Sequence, residues 1–346
     1  MGVKKAMSSI TLCSYDRWLD GAERTHSTGL KPQEFRTSNY GTVRIRPLVS
    51  EHIDLTVLAA DWLPVQRDGR TTFEWMVHTP SQFPEKSRSL QWKNSEWVSK
   101  QTEKLTVLDN VVLVGGTPNY YHWLIDYLPR LLIANSMVNF EGWRFLLNAD
   151  LGRHQIESLS LLKIKEDARL FLMPWQSLQA TRVAIPSLLS TTTLCHPAVP
   201  QMLKQAFPPR NISPRKRIYL SREDATSRRL TNEVELMIIL ENFGFEKIIA
   251  SNMTFQDQID IFFSADVIVA AHGAGMTNMI FCKQSVKIFE ISCGNYRVSS
   301  MRFLAAICNL SHRFIDAVLS TQRNPNPLLN DWEVNLVQIK EVLAKF

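Results

Sequence analysis

The sequence predicts an α/β protein made of two α/β units, the second of them doubly wound. Three observations carry that reading. From Leu105 onward, short apolar, β-branched runs alternate with helix-like stretches, the pattern of a parallel sheet covered by helices. The alternation is interrupted once, by the proline-rich, basic stretch PAVPQMLKQAFPPRNISPRKR. The chain has 346 residues, enough for two domains of ordinary size.

The first unit is the harder to read. Pro, Trp, Ser and charges are scattered through residues 1–100. Thr42–Ile45, Asp54–Ala59 and Thr71–Val77 read as short strands in an irregular lead-in, and its tryptophans read as packing residues. LTVLDNVVLVGG then gives a strand ending in Gly115 and Gly116. YYHWLIDYLPRLLIANSMV follows as a helix, which Pro129 should kink or break. WRFLLN is a strand, HQIESLSLLKI a helix, ARLFLM a strand, and ATRVAIPS a further strand. The boundary is expected near residue 205, with a linker to residue 214, so that 1–205 forms the first domain.

The second unit, 206–325, is regular. RIYLSR is a strand. Asn232–Phe243 is a helix, with Glu233 and Glu235 in its first turn and Gly244 past its end. EKIIA is a strand and FQDQIDIFFSA a helix. Val267–Ala271 is an apolar strand broken by His272, Gly273, Ala274 and Gly275. Met276–Cys282 is a short helix, and Val286–Ile291 the next strand, with Glu290 near its end. A helix over 298–309 and the strand HRFIDA complete a doubly wound unit of five strands. Residues 326–346 are set apart, with Asn330–Phe346 read as a final amphipathic helix.

Composition narrows the function. Hydrophobic residues make up 45% and charged residues 21%, which is globular. The net charge of +6 suits an anionic ligand. The basic stretch over 210–229 lacks aromatic interleaving and no nucleic-acid-binding motif is present, so nucleic acid is not an expected partner. Five cysteines show no CxxC pairing, in keeping with a reduced, cytosolic setting. No apolar run is long enough for a membrane span and the N-terminus does not read as a signal peptide; membrane contact is expected to be peripheral, at the inner face.

The chemistry gathers at two places. A glycine turn opening a helix presents unpaired N–H groups and the positive end of the helix dipole, a place for phosphate. GAGMTN is close to a dinucleotide fingerprint, with Asn278 where the third glycine belongs. A carboxylate on the next strand, Glu290, suits a ribose hydroxyl. His272 stands at the sheet edge as a donor to phosphate or sugar. Arg222 follows a strand and should project from the same edge, where a guanidinium can grip phosphate. Arg228 and Arg229 are further candidates, or members of a solvated loop. In the first unit, His122 and Asp126 lie four apart on one helical face, either a general base facing a cleft or an internal brace. There is no DxD pair, no GxxxxGK and no Cys/His cluster, so no metal site is expected, and charge on a leaving diphosphate must be met by Arg, Lys and helix N-termini. HGAG also suggests an esterase oxyanion loop, but no GxSxG accompanies it.

YYHWLIDYLPRL, RIYLSR, HGAGMTNMIF and the FEI strand, in that order and spacing, resemble glycosyltransferase family 61, including its capsular polysaccharide biosynthesis members. The resemblance covers roughly residues 105–320. It implies a GT-B fold, two Rossmann-like domains facing across a cleft, and inverting, metal-independent transfer from a nucleotide sugar, a UDP-sugar being expected. Carried over by position, Arg222, His272, Gly273, Ala274 and Gly275 hold the diphosphate and Glu290 the ribose; Arg229 and Asn278 are further members expected in the donor set. His122 and Asp126 face a glycan or lipid-linked glycan acceptor, either one serving as the base. Met276 departs from the Leu common in the family. The competing class is a dinucleotide-dependent oxidoreductase or epimerase using the same Rossmann-like unit, against which the missing third glycine counts.

Overall fold

The computed structural model describes residues 11–12, 15–37, 41–71, 87–137, 140–191, 194–210, 216–294, 297–320 and 324–345. The chain divides into two compact units, Met1–Val199 and Pro200–Phe346. The division falls inside a helix, Ala198–Ala206, where an open linker was expected to begin. Val199, Leu203 and Phe207 are buried at four-residue spacing, which makes one apolar stripe. Pro200 is tolerated because it sits in the first turn, whose N–H groups have no partner within the helix. The expected linker over 211–214 lies outside the described residues.

The sheet of the first unit runs, edge to edge, through Arg169–Leu172, Arg144–Asn148, Glu103–Gly115, Gln176–Pro186, Leu48–Leu58 and Arg24–Ser27. The first four strands are parallel. Leu48–Leu58 runs antiparallel to both its neighbours, Gln176–Pro186 and Arg24–Ser27. The amino-terminal part is therefore no irregular lead-in, since it supplies three strands of the central sheet, Leu63–Val65 pairing with the outer side of Leu48–Leu58 beside Arg24–Ser27. Its periodicity is hidden because Leu48–Leu58 carries Ser50, Glu51 and His52 in buried positions. Glu51 is paired there with His26 and with Arg182, at 2.6 Å. Gly41–Ile45 forms a hairpin with Gln33–Thr37. Of the Thr71–Val77 strand, only Thr71 lies within the described residues.

The helix after Gly116 is not continuous. An α-turn, Tyr120–His122, leads into a π-helical turn, Trp123–Tyr127, and then into the α-helix Leu128–Asn135. The expected kink at Pro129 takes this form. A proline ring crowds the carbonyl four residues back and leaves it without a donor. The chain widens by one residue instead, so that the Leu128 N–H donates to the Trp123 carbonyl five residues back.

The second unit has the sheet order Phe245–Ile248, Lys216–Leu220, Ala265–Ala271, Lys287–Cys293, Ser311–Leu319, Trp332–Val334. Five strands are parallel and the last is antiparallel. In chain order this is 2-1-3-4-5-6, a doubly wound sheet whose order reverses between the first and third strands. Val267, Val269, Ala271, Phe289, Ile291, Cys293, Ile315 and Ala317 alternate onto one face and build the core there with Trp332, Val334, Ile339 and Leu343. The final helix is shorter than expected, Leu336–Leu343, with Asn335 as its cap. Trp332–Val334 alternates buried, exposed, buried, a period of two that belongs to a strand. The segment after 326 is thus built into the second unit and does not stand apart from it. No helix among the described residues is long and apolar enough to cross a membrane.

Candidate functional site

In the second unit, Lys216–Leu220 and Ala265–Ala271 lie side by side, with Leu220 opposite Ala270. Their connections leave in opposite directions, which opens a crevice at their carboxyl ends. Ser221 and Arg222 follow the first strand, and His272 and Gly273 the second. A cavity of about 160 Å³ lies here, lined among others by Ser221, Arg222, Asp224, Ala271, Gly273 and Gly275. The short helix expected over Met276–Cys282 is a 3-10 helix, Ala274–Phe281, opened by the turn. Gly273 has φ −179°, an extended backbone open to any residue. Its need for glycine is steric, because a Cβ there would lie 1.9 Å from Arg222 Nη1.

Arg222 is a half-buried, poorly compensated cation. Its Nη2 donates to the Ser227 carbonyl at 3.1 Å, while its Nε is buried without a partner. Burial lowers the guanidinium pKa to about 10, the nearby charge of Arg228 adds to this, and Asp224 offsets part of it. Arg228 has φ +58°, an unusual conformation for a side-chain-bearing residue, and its Nε is also buried without a partner. Burial lowers its pKa as well. Two guanidiniums held close together and short of acceptors form a site for a multiply charged anion.

Not every expected donor residue joins this crevice. Arg229 is turned to Asp331, donating from Nη2 at 2.6 Å and from Nε at 3.1 Å. Its backbone N–H donates to the same carboxylate, so Arg229 fastens the loop to the segment ahead of the last strand. Asn278 is fully buried and donates to Gln258 Oε1 at 2.7 Å, bracing the Phe255–Ser264 helix. Ala274 opens the 3-10 helix.

Glu290 is fully buried in mid-strand, and both its oxygens are taken. Oε1 meets His272 Nδ1 at 2.5 Å, and Oε2 meets His312 Nε2 at 2.6 Å. A carboxylate so enclosed is not presented to a ribose hydroxyl, contrary to the expectation from sequence. Burial favours its neutral form, but the hydrogen bonds and charges of the two histidines outweigh burial and hold its pKa below the usual range. His272 keeps 8% side-chain exposure and has Nδ1 committed to Glu290.

The first unit also places its candidates at a point of reversal. Glu103–Gly115 and Gln176–Pro186 are neighbours, and the chain leaves the first toward one edge of the sheet and enters the second on the other side. Gly115 and Gly116, with φ +87° and +150°, turn the chain there, and a Cβ on Gly115 would meet the Tyr127 ring at 2.9 Å. Asp126, on the π-turn, is 4% exposed. Its Oδ2 meets His122 Nδ1 at 2.6 Å, and its Oδ1 accepts a hydrogen bond from Ser190 Oγ, beyond the end of Gln176–Pro186. The more exposed member of the pair is His122, with 19% of its side chain exposed against 5% for Asp126. Burial and the charge of Asp126 together push the Tyr121 phenol well above its ordinary range. The arrangement is a histidine oriented by a carboxylate, a form suited to taking a proton from a hydroxyl. A larger cavity, about 610 Å³, lies where the Arg144–Asn148 and Arg169–Leu172 strands begin, away from both carboxyl edges.

Sequence reasoning passed over Ser190 and His312, weighed Arg228 and Arg229 alike, and kept only Arg229 in the donor set. Only Arg228 carried a signal, as one of two adjacent arginines after a strand; the other two are brought in by sheet register. Among the described residues no cluster of His, Cys, Asp and Glu is arranged to hold a metal ion.

A doubly wound unit with a cationic crevice at its reversal point has the chemistry to receive a phosphorylated ligand. Comparison with protein families identifies it further: residues 120–289 match Glycosyltransferase 61. The chain carries a glycosyltransferase family 61 domain and is a glycosyltransferase. The match spans His122, Asp126, Arg222 and the Gly273 turn, and ends one residue before Glu290. No curated protein matches the chain.

Proposed function

We propose that this glycosyltransferase moves a sugar from a UDP-sugar to a hydroxyl of a glycan or lipid-linked glycan acceptor. Transfer is a single inverting displacement without a metal ion, by a GT-B-type enzyme of surface polysaccharide biosynthesis at the cytoplasmic face of the membrane. The observation that carries the reading is the incompletely compensated guanidinium of Arg222 lying against the Gly273 turn, with the charge of Arg228 near it. The two arginines meet the charge that grows on the departing diphosphate, the part a metal ion plays where a DxD pair is present. His122, oriented by Asp126, takes the proton from the acceptor hydroxyl. Asp126 is the weaker choice of base, because it is buried and both its oxygens are engaged.

Calorimetric titration with UDP in the presence of EDTA tests this. Wild type should bind, and Arg222→Ala should weaken binding by about tenfold or more. Absence of UDP binding, or binding that needs added magnesium, removes the proposal.

A further inference from the structure

His272, Glu290 and His312 form a diagonal across three adjacent strands, on the sheet face opposite the main core. Ala270 pairs with Glu290, and Ile288 with His312. His272 thus lies two positions beyond Glu290's partner on one neighbouring strand, and His312 is reached by stepping back two positions from Glu290 on the other. Parallel register brings such residues within reach of one another along one face. Glu290 bridges them, with contacts of 2.5 and 2.6 Å. The His312 side chain is 5% exposed and its ring packs edge-on against Phe314 at 4.8 Å. Burying a carboxylate is costly unless it is fully hydrogen-bonded, so each histidine serves Glu290 as an N–H donor.

The consequence reaches the crevice. With Nδ1–H committed to Glu290, the ring of His272 is fixed and Nε2 becomes its ligand-facing nitrogen. The next residue, Gly273, is the one against which Arg222 lies. We infer that His312 is a positioning residue for the donor site: through Glu290 it holds His272 so that, in the imidazolium form, Nε2–H donates to a phosphate oxygen of the nucleotide. This rests on the donor site proposed above. His312 never touches the ligand, and its effect should pass wholly through His272.

A double-mutant cycle read by UDP titration tests it. His312→Phe keeps the ring volume and loses the N–H donor; it should lower UDP affinity by about tenfold. In a His272→Gln background the same change should have almost no further effect. His312→Gln, which keeps an N–H donor, should recover most of the affinity. If His312→Phe fails to fold, as thermal melting would show, His312→Asn takes its place with the same expected loss, its side chain being too short to reach Glu290. An equal loss in both backgrounds, an unaltered affinity, or a Gln variant as weak as Phe overturns the inference and leaves the UDP site standing. A wild-type enzyme that does not bind UDP removes both.

Discussion

Gly273 and Arg222 are fitted to each other, since a single added carbon at position 273 would fall 1.9 Å from the Arg222 guanidinium. The obstructing atoms are the end of a flexible side chain, so the protein can yield by moving the guanidinium and leaving the backbone in place. The glycine therefore guards a side-chain position, and Arg222 needs the space more than the turn needs conformational freedom.

Gly273→Ala should accordingly cost little stability and much binding. UDP affinity is expected to fall by about tenfold or more, roughly 1.4 kcal/mol, with the melting temperature of the ligand-free protein nearly unchanged. Gly275→Ala is the comparison, because the nearest atom to its added Cβ is Leu220 Cδ2 at 3.4 Å. The protein tolerates that contact with small adjustments, so a loss of affinity there reports how closely the ligand approaches the backbone. Titration and melting of both variants decide the point, and an unchanged affinity in Gly273→Ala would count against Arg222 as a ligand group.

Arg222 should also trade stability for binding. Its folded-state pKa, about 10, lies below its ordinary value because burial disfavours the charged form. At neutral pH the residue is charged in both folded and unfolded states, so it opposes folding there. That cost fades as pH rises through the folded value toward the unfolded one. Arg222→Met should therefore raise the melting temperature of the ligand-free enzyme at neutral pH, by about 2–4 °C for each kcal/mol relieved. The same variant should lose the further rise that UDP gives wild type. A melting temperature that falls in the absence of ligand contradicts this account.

Legibility in the sequence followed locality. The five parallel strands of the second unit could be read because each is a short run bounded by a turn, and because Arg222 and Gly273 come within two residues of the ends of theirs. Leu48–Leu58 could not, because the buried polar residues Ser50, Glu51 and His52 break its pattern, and the partners of Glu51, His26 and Arg182, are far away in the chain. Glu290 was read correctly as lying on a strand beside the glycine turn but wrongly as open to a ligand. Its burial depends on His312, which register alone brings near. Arg229 looked as good as Arg228 in the sequence; a left-handed backbone at Arg228 and the carboxylate of Asp331 separate them.

Asp126→Asn should abolish transfer while sparing donor binding. The amide cannot accept as the carboxylate does from both His122 and Ser190, so the imidazole loses its fixed orientation. Loss of a positioned general base lowers turnover by about 10²–10⁴. UDP affinity should stay within about twofold of wild type, since the donor groups belong to the other unit. Turnover at the wild-type rate would return the pair to a bracing role.

Ser190→Ala tests the same carboxylate more gently. It leaves Asp126 Oδ1 buried without its donor, a cost of about 1–3 kcal/mol. Stability should drop by that amount in chemical denaturation, and turnover should fall less than in Asp126→Asn because the His122 contact survives. A turnover loss as large as that of Asp126→Asn would place Ser190 among the reacting groups.

Pro129 sets the geometry on which these effects depend. The π-turn Trp123–Tyr127 exists because a proline at 129 denies the carbonyl four residues back its donor, and Asp126 is carried on that turn. Pro129→Ala restores the missing N–H and removes the clash, so the helix can close to regular α spacing. An interior proline costs a helix about 3 kcal/mol relative to alanine, although here the π-turn has already relieved part of that. The variant should therefore melt at the wild-type temperature or above it. Turnover should fall, because tightening the turn by one residue rotates Asp126 away from Ser190 while the strand that leads to Ser190 stays in place. A crystal structure of the variant, with its kinetics, provides the check: a π-turn that persists without the proline, or full activity in a regular α-helix, would show that the widened turn is not what aligns the carboxylate.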